Sequence, residues 1–333
     1  MTAWLRDVET IPILDDASIS VAREHVRQLA GEVGFSKDVT ESVATAATEL
    51  VRNQLVHARG GGFAVRSIER GGVRGLELVA ADRGSGLADP RRALEGTIST
   101  GGRLGSGIAS VRRLMDELDF DIRLGEGTCI WARKFAGVVP YRSELAIMGR
   151  PCEGETESGD DAAFVRHDDG LTIGVVDGLG HGILARDVAA PTAALLRSRA
   201  ELDPAALLHA VDDSLQHTRG AVMAIARIDV RHRQIEHAAI GDVRTCTYQP
   251  HGSRRFLSTA GVLGAADQRR KYVVEREPMR EHDVIVMHSD GLTTRADISE
   301  ELALLRRHPI VIAAHLLEHF GRSNDDALVL VVR

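Results

Sequence analysis

Cysteine is scarce in this chain: three of 333 residues, Cys129, Cys152 and Cys246, stand far apart and form no CxxC pair. That excludes a disulfide framework and a cysteine-built zinc site, and an odd, scattered set suits a reducing cytoplasm. No apolar run approaches the ~20 residues that cross a bilayer. The opening Met1-Thr-Ala-Trp-Leu-Arg lacks the charged-then-apolar order of a signal peptide. Basic excess is missing too. Forty-one Lys and Arg face 48 Asp and Glu, a formal charge of -7, which argues against a phosphate-tracking surface. The Arg pairs Arg91–Arg92, Arg112–Arg113 and Arg306–Arg307 are scattered and read as solvated faces. Neither a nucleic acid nor a membrane is expected as partner. The sequence has no internal repeat and no low-complexity tail.

What is present is an ordinary globular composition, 44% apolar and 27% charged. The length suits two domains of roughly 150 residues each. Ala136-Gly-Val-Val-Pro-Tyr141 follows a strand-like run and punctuates the chain. The expected division is therefore a domain over 1–136, a linker over 137–143 and a second domain over 144–333.

In the first part the spacing predicts a helix over 18–31, with Val21, His25, Val26 and Leu29 on one side. A second is predicted over 39–58, capped by Asp38 with Glu41 completing a capping box, its apolar face Val43, Ala47 and Leu50. Leu76-Glu-Leu-Val-Ala80 alternates like a half-buried strand and runs into Asp82-Arg-Gly-Ser-Gly86. Thr100-Gly-Gly-Arg-Leu-Gly-Ser-Gly107 then leads into a helix over 108–118. These elements predict a two-layer α/β sandwich. In the second part, apolar runs end at Asp177-Gly178 and Asp290-Gly291, a third follows Asp325-Asp326, and Asp203-Pro204 opens a helix. A β-sandwich flanked by helices is expected, and the chain as a whole is α+β.

Glu49 and Asn53, four apart, share one helix face. A carboxylate and an amide one turn apart suit activation of a hydroxyl or water and holding of a hydrated, oxygen-seeking Mg2+. Asp82 can meet an exocyclic amine, with Gly84 and Gly86 allowing close backbone approach. Gly105 and Gly107 open a helix, where free N–H groups favour phosphate. Singly these are a solvated face, a turn and a loop; their order and separation together are not. They resemble the GHKL-type (Bergerat) ATPase fold, and within it the RsbT-type switch kinases of bacterial partner-switching modules. The similarity lies in Glu49-Leu-Val-Arg-Asn53, Asp82-Arg-Gly-Ser-Gly86, Leu104-Gly-Ser-Gly-Ile108 with Val111-Arg-Arg-Leu-Met-Asp-Glu117, and Gly125-Glu-Gly-Thr128. The resemblance implies ATP with Mg2+. Asn53 would hold the metal, Asp82 would read the adenine amino group, and Gly105 and Gly107 would cradle phosphates. Glu49 would be the base for a serine or threonine hydroxyl. Thr128 joins the nucleotide-binding set, and Arg103 falls where related anti-sigma kinases place a phosphate-contacting arginine.

Four acidic positions dominate the second part: Asp160 or its neighbour Asp161, Asp177, Asp290, and Asp325 or Asp326. Gathered carboxylates repel one another unless cations sit between them. With no lysine in these segments, two hard divalent ions are the natural partners, able to share and acidify a water. Ser158-Gly-Asp-Asp-Ala162, Val176-Asp-Gly-Leu-Gly-His-Gly182, Ser289-Asp-Gly-Leu292 and Asn324-Asp-Asp-Ala-Leu328 resemble the metal-dependent PPM phosphatases of the SpoIIE and RsbX type, an α-β-β-α sandwich. That resemblance implies Asp177, the Gly178 carbonyl, Asp290 and Asp325 as ligands of two Mn2+ or Mg2+, with Asp160 nearby, and a structural turn at Gly264. Larger members carry a histidine two residues after the first ligand. Here that position is Leu179 and the histidine is His181, either within reach of a leaving group or without a chemical role. His57, His167, His232, His237 and His288 show no ligand spacing.

Together the resemblances imply a bifunctional regulator that phosphorylates and dephosphorylates serine or threonine on STAS-type, anti-anti-sigma-like proteins. The rival is a phosphatase whose first domain is a nucleotide-gated binding module for an anti-sigma antagonist, a sigma factor or a phosphatase activator.

Overall fold

The computed structural model describes residues 4–5, 9–96, 107–250, 252–265 and 270–333. Its internal contacts divide the chain into two compact units, Met1–Ala146 and Ile147–Arg333.

The first unit runs β1 (Ile11–Ile13), α1 (Ala17–Val33), α2 (Lys37–Ala58), β2 (Gly61–Arg70), β3 (Val73–Asp82), α3 (Pro90–Glu95), α4 (Gly107–Leu114), β4 (Glu117–Arg123) and β5 (Gly127–Phe135). Its strands follow the order β1-β2-β3-β5-β4, and α1 and α2 pack on β2 and β3. The buried side of α1 is Ala22, Val26, Ala30 and Val33, whereas Val21 is exposed and His25 and Leu29 are half-buried. Small residues let α1 lie close against its neighbours, so the larger aliphatics are turned aside. Gly34 ends α1 in the left-handed region at φ 89°, its N–H bonded to the Ala30 and Gly31 carbonyls.

α2 begins two residues before the sequence expectation. Ser36, not Asp38, is the cap and accepts from the Val39 N–H at 3.4 Å. Glu41 instead pairs with Arg27 of α1 at 2.9 Å. Val43, Ala47 and Leu50 are buried as expected.

The expected helix over 108–118 stops at Leu114, and β4 begins at Glu117. β3 is buried along nearly its whole length, not on one face alone. The polar side of this sheet is closed by ion pairs: Arg133 on β5 meets Glu77 and Asp119, each at 2.6 Å, and Arg70 meets Glu117. Buried charges persist when paired and hydrogen-bonded in this way.

The second unit continues with β6 (Leu145–Arg150), β7 (Asp160–His167), β8 (Gly170–Gly178), α5 (Ile183–Ser198), α6 (Pro204–Ser214), β9 (Ala221–Asp229), β10 (Gln234–Ile240), β11 (Arg244–Gln249), β12 (Gly252–Arg255), β13 (Glu275–Pro278), β14 (Val284–His288), α7 (Leu302–Leu305), α8 (Pro309–Phe320) and β15 (Ala327–Val332). One layer has the order β6-β15-β14-β11-β12 and the other β13-β10-β9-β8-β7. α5 and α6 cover β7 to β10, and α8 lies on β15, giving helices outside two sheets. The Asp203 carboxylate caps α6 by accepting from the Ala205 and Ala206 N–H groups, each at 3.0 Å. Val176, Ala193, Leu196, Leu207, Met223 and Ile240 belong to the core between α5, α6 and their sheet. Strands that end at one edge of this sandwich bring their terminal acids together.

Candidate functional site

In the first unit, α2 presents Glu49 and Asn53 on one half-buried face. Above them lies the start of α4. A methyl group added at Gly107 would lie 3.1 Å from Asn53 Oδ1 and 3.2 Å from Glu49 Oε2, so glycine keeps this cleft open. Among the described residues the Asn53 Nδ2 is buried with no hydrogen-bond partner, and the exposed Arg52 lies 3.7 Å from Glu49. Asp82 ends β3 directly across from Thr128 on β5. Its Oδ1 accepts from the Gly84 N–H at 2.8 Å. Burial raises its pKa above the ordinary carboxylate value, while N–H bonds from Gly84 and Thr128 oppose the rise. A methyl group added at Gly84 would lie 3.0 Å from the Ala58 methyl and 3.3 Å from the His57 carbonyl oxygen, and Gly86 turns at φ 80°. A buried amide beside a half-buried carboxylate suits a phosphate-bearing ligand with its cation, and a half-buried acceptor at Asp82 suits an amine. Arg103 and Gly105 lie outside the described residues.

In the second unit, antiparallel pairing sets Asp160 of β7 opposite Asp177 of β8. Alternation turns Asp161 to the other face, and its Oδ1 takes the Ala162 N–H at 2.7 Å. Asp290 follows β14, and Asp242 follows β10. Asp177, Asp242 and Asp290 each offer a carboxylate oxygen, all within 4.8 Å of one another. Burial first, then the charges of Asp160, Asp290 and Asp242, push Asp177 up to about 10. Burial and the charges of Asp242 and Asp325 raise Asp290. Burial also raises Asp160 well above its ordinary value, and its Oδ2 is buried without a partner among the described residues. An all-oxygen donor set that must otherwise hold protons fits hard divalent cations.

Asp242 escaped the sequence reading. The signal was present in Gly241-Asp242 after the buried run Ala238-Ala-Ile240, another acid at a strand end, but with glycine before it and not after.

The neighbouring acids differ in employment. Asp326 accepts from Cys152 and Gly159 N–H groups, each at 2.7 Å, and from Gly182 at 3.2 Å. The Asp325 carboxylate takes the Asp326 N–H at 3.0 Å and stays within electrostatic reach of Asp160 and Asp290. At Gly178 a methyl group would meet the Ala185 carbonyl at 2.4 Å, so the chain can pass there only as glycine. His181 is exposed, its Nδ1 3.0 Å from Glu155 Oε1. Gly264 turns at φ 83°, and its N–H donates to Asp212 at 2.6 Å. His237 and His288 are core residues, and His232 is exposed against Asp229.

Comparison with known proteins reads the two units in the same order. Residues 167–333 match the stage II sporulation protein E (SpoIIE) family, and residues 14–134 match the histidine kinase-like ATPase domain. The serine/threonine-protein kinase RsbT of Bacillus subtilis (strain 168) is 36% identical over 131 residues, 39% of this chain and 98% of that protein. The phosphoserine phosphatase RsbX of the same organism is 28% identical over 181 residues, 54% of this chain and 88% of that protein. A crystal structure of RsbX in complex with magnesium superposes with a TM-score of 0.51 at 25% identity, covering 57% of this chain and 94% of that one. A chain from work described as "The bacterial stressosome: a modular system that has been adapted to control secondary messenger signaling" gives 0.55 at 28%, covering 58% and 100%. The chain therefore belongs to the SpoIIE family, with an RsbX-like PPM phosphatase domain preceded by an RsbT-like ATPase domain of the histidine kinase type.

Proposed function

We propose that this protein is a bifunctional partner-switching regulator. Its first unit phosphorylates, and its second dephosphorylates, serine or threonine on STAS-type proteins. The observation carrying this reading is that one chain holds two separately built clefts suited to opposite reactions. One sets Glu49 beside Asn53 under Gly107, and the other gathers Asp177, Asp242 and Asp290.

In the first cleft Asp82 accepts a hydrogen bond from the adenine amine. Asn53 would hold Mg2+, and Gly105 and Gly107, with Arg103, would receive the phosphates. Mg2+ supplies screening of phosphate charge when bound. Glu49 takes the proton of the incoming hydroxyl as that oxygen bonds to the γ-phosphorus and the bond from phosphorus to the β,γ-bridging oxygen breaks, ADP leaving with that electron pair. The position of Glu49 inside the cleft favours transfer over a binding-only module, which needs no base there.

In the second cleft Asp177, the Gly178 carbonyl, Asp290 and Asp325 would hold two Mn2+ or Mg2+, with Asp160 and Asp242 beside them. When bound, these ions lower the pKa of water and polarise the phosphoryl oxygens. Asp177 is central in the acid cluster, and Asp326 ties together the loops of 152, 159 and 182.

The test uses the full chain. Phosphoserine on a STAS protein should be released only with Mn2+ or Mg2+, stopped by EDTA and lost in Asp177→Asn. With ATP and Mg2+ the unmodified STAS protein should gain phosphate, and Glu49→Ala should bind ATP without transferring it. Metal-independent hydrolysis overturns the phosphatase reading. Transfer at the wild-type rate in Glu49→Ala removes the base.

A further inference from the structure

Beside the acid cluster lies a second, oppositely charged feature. Arg244 opens β11 two residues after Asp242 and sits across from His288 of β14. Arg255 closes β12 across from Cys246, which places it diagonally from Arg244 on the same face of the sheet. Arg322 follows α8, and its backbone N–H donates at 2.8 Å to the carbonyl of Gly291, next to Asp290.

Arg244 is half-buried, and Arg255 and Arg322 are exposed. Among the described residues none of the three has an ion-pair partner, whereas Arg254, on the opposite face of β12, pairs with Glu275 and Glu277. Arg255 and Arg322 both lie within electrostatic reach of Arg244 as like charges, with Asp242 as an opposing one. The group is self-repelling. Asp297, a nearby carboxylate, already accepts from the Ser299 N–H at 2.9 Å, and Asp242 belongs to the metal cluster.

Three unpaired guanidiniums gathered in a chain of net charge -7 are not part of a generally basic surface. Left alone they cost electrostatic energy, which an acidic partner would relieve.

We propose that Arg244, Arg255 and Arg322 form the docking edge for the phosphoprotein substrate, reading carboxylates that flank the phosphorylated residue. This rests on the phosphatase reading of the neighbouring cluster and deepens it. The substrate is a phosphoprotein with an acidic surface around the phosphoserine or phosphothreonine. The arginines touch the flanks and the acid cluster, with its cations, takes the phosphoryl group. Planar guanidiniums suit this role, since they bind carboxylates through paired N–H donors.

The experiment measures fluorescence anisotropy of the full chain with Mn2+ and two labelled peptides. Each carries a non-hydrolysable phosphonate analogue of phosphoserine, flanked by aspartates in one and by asparagines in the other. The aspartate peptide should bind on the order of tenfold more tightly at low salt, and the preference should shrink as salt rises. Arg255→Gln with Arg322→Gln should bring the two peptides within about twofold of each other, leaving the asparagine peptide unchanged, while the double lysine variant should retain part of the preference. Equal binding by wild type, or a preference that survives the double glutamine variant, overturns the proposal. Weakened binding of the asparagine peptide in that variant also overturns it, because the arginines would then be holding the phosphoryl group. The same peptides made with phosphoserine separate the two readings. Preference in binding with no Mn2+-dependent release of phosphate from either peptide upholds the docking edge and refutes the phosphatase.

Discussion

Both oxygens of Asp326 accept backbone N–H groups, from Cys152 on one side and from Gly159 and Gly182 on the other. Asparagine there would turn an amide N–H against at least one of these donors, and alanine would orphan all three. The side chain is 2% exposed, so water cannot replace it. Each unsatisfied buried donor costs about 1–3 kcal/mol, so Asp326→Ala should lose about 3 kcal/mol or more of stability in urea or thermal unfolding. Asp325→Asn should behave differently, since Asp325 has no such set of backbone donors. Stability should be retained, while the Mn2+ concentration for half-maximal phosphate release should rise and excess Mn2+ should restore activity. An Asp325→Asn protein that unfolds as readily as Asp326→Ala would show that the two employments are not separate. Sequence alone left this pair open, because adjacent identical side chains differ only in which face of the chain turns inward. Asp160 and Asp161 are the same problem, and β7–β8 register resolves their facing.

Elements show why some features were legible and others were not. The apolar face of α2 and the Asp203 cap of α6 follow from local pattern, and both stand in the structure. The start of α2 was misplaced because Glu41, the supposed third residue of a capping box, is held by Arg27 from another helix. The segment Glu117-Leu-Asp-Phe-Asp-Ile-Arg123 carries three carboxylates. It forms a buried strand because Arg70, Arg123 and Arg133 meet its acids, partners distant in sequence except for Arg123. Asp242 was missed for a comparable reason: its proximity to Asp177 and Asp290 arises only when β8, β10 and β14 end at one edge. The cleft between α2 and α4 yields a direct test. Gly107→Ala places a methyl 3.1–3.2 Å from Asn53 and Glu49, in space a phosphate or its cation would use. ATP affinity by calorimetry should fall about tenfold or more, with little change in unfolding, because alanine is the better helix former. Undiminished affinity would move the phosphates away from Gly107. β10 carries a pH test. His237 is 1% exposed, bonded to Thr245, and burial lowers its pKa to about 3 against 6.5 for the free side chain. Between those values the unfolded chain binds the proton and the folded chain does not, so stability is present above about 6.5 and is lost as pH falls towards 3. His288, lowered to about 4, acts in the same direction. His237→Gln should flatten part of the slope of urea midpoint against pH from 7 to 4; an unchanged slope would deny His237 a share in it.

At the scale of the whole molecule, the two opposed activities proposed for this chain fix a balance of matter. Transfer consumes one ATP and leaves ADP with a phosphorylated serine or threonine. Hydrolysis consumes water and returns the hydroxyl with inorganic phosphate. With ATP, Mg2+, Mn2+ and a STAS protein present, the wild-type chain should therefore release ADP and phosphate continuously, far past one equivalent per STAS protein. Asp177→Asn should stop after about one equivalent per acceptor hydroxyl and leave the STAS protein phosphorylated, because removing the central carboxylate disables only the returning step. Glu49→Ala should consume almost no ATP, yet still clear phosphate from a STAS protein phosphorylated beforehand, because Glu49 and Asp177 belong to different units. Asp82→Asn should resemble Glu49→Ala in turnover but also lose ATP affinity in calorimetry, the loss of a charge-assisted hydrogen bond being worth about tenfold to a hundredfold. ADP release measured with a coupled assay, beside phosphate release and the mass of the STAS protein, gives the three stoichiometries at once. Sustained ADP release in Asp177→Asn would mean that ATP is hydrolysed without passing through the STAS protein, and the first unit would then be an ATPase, not a protein kinase.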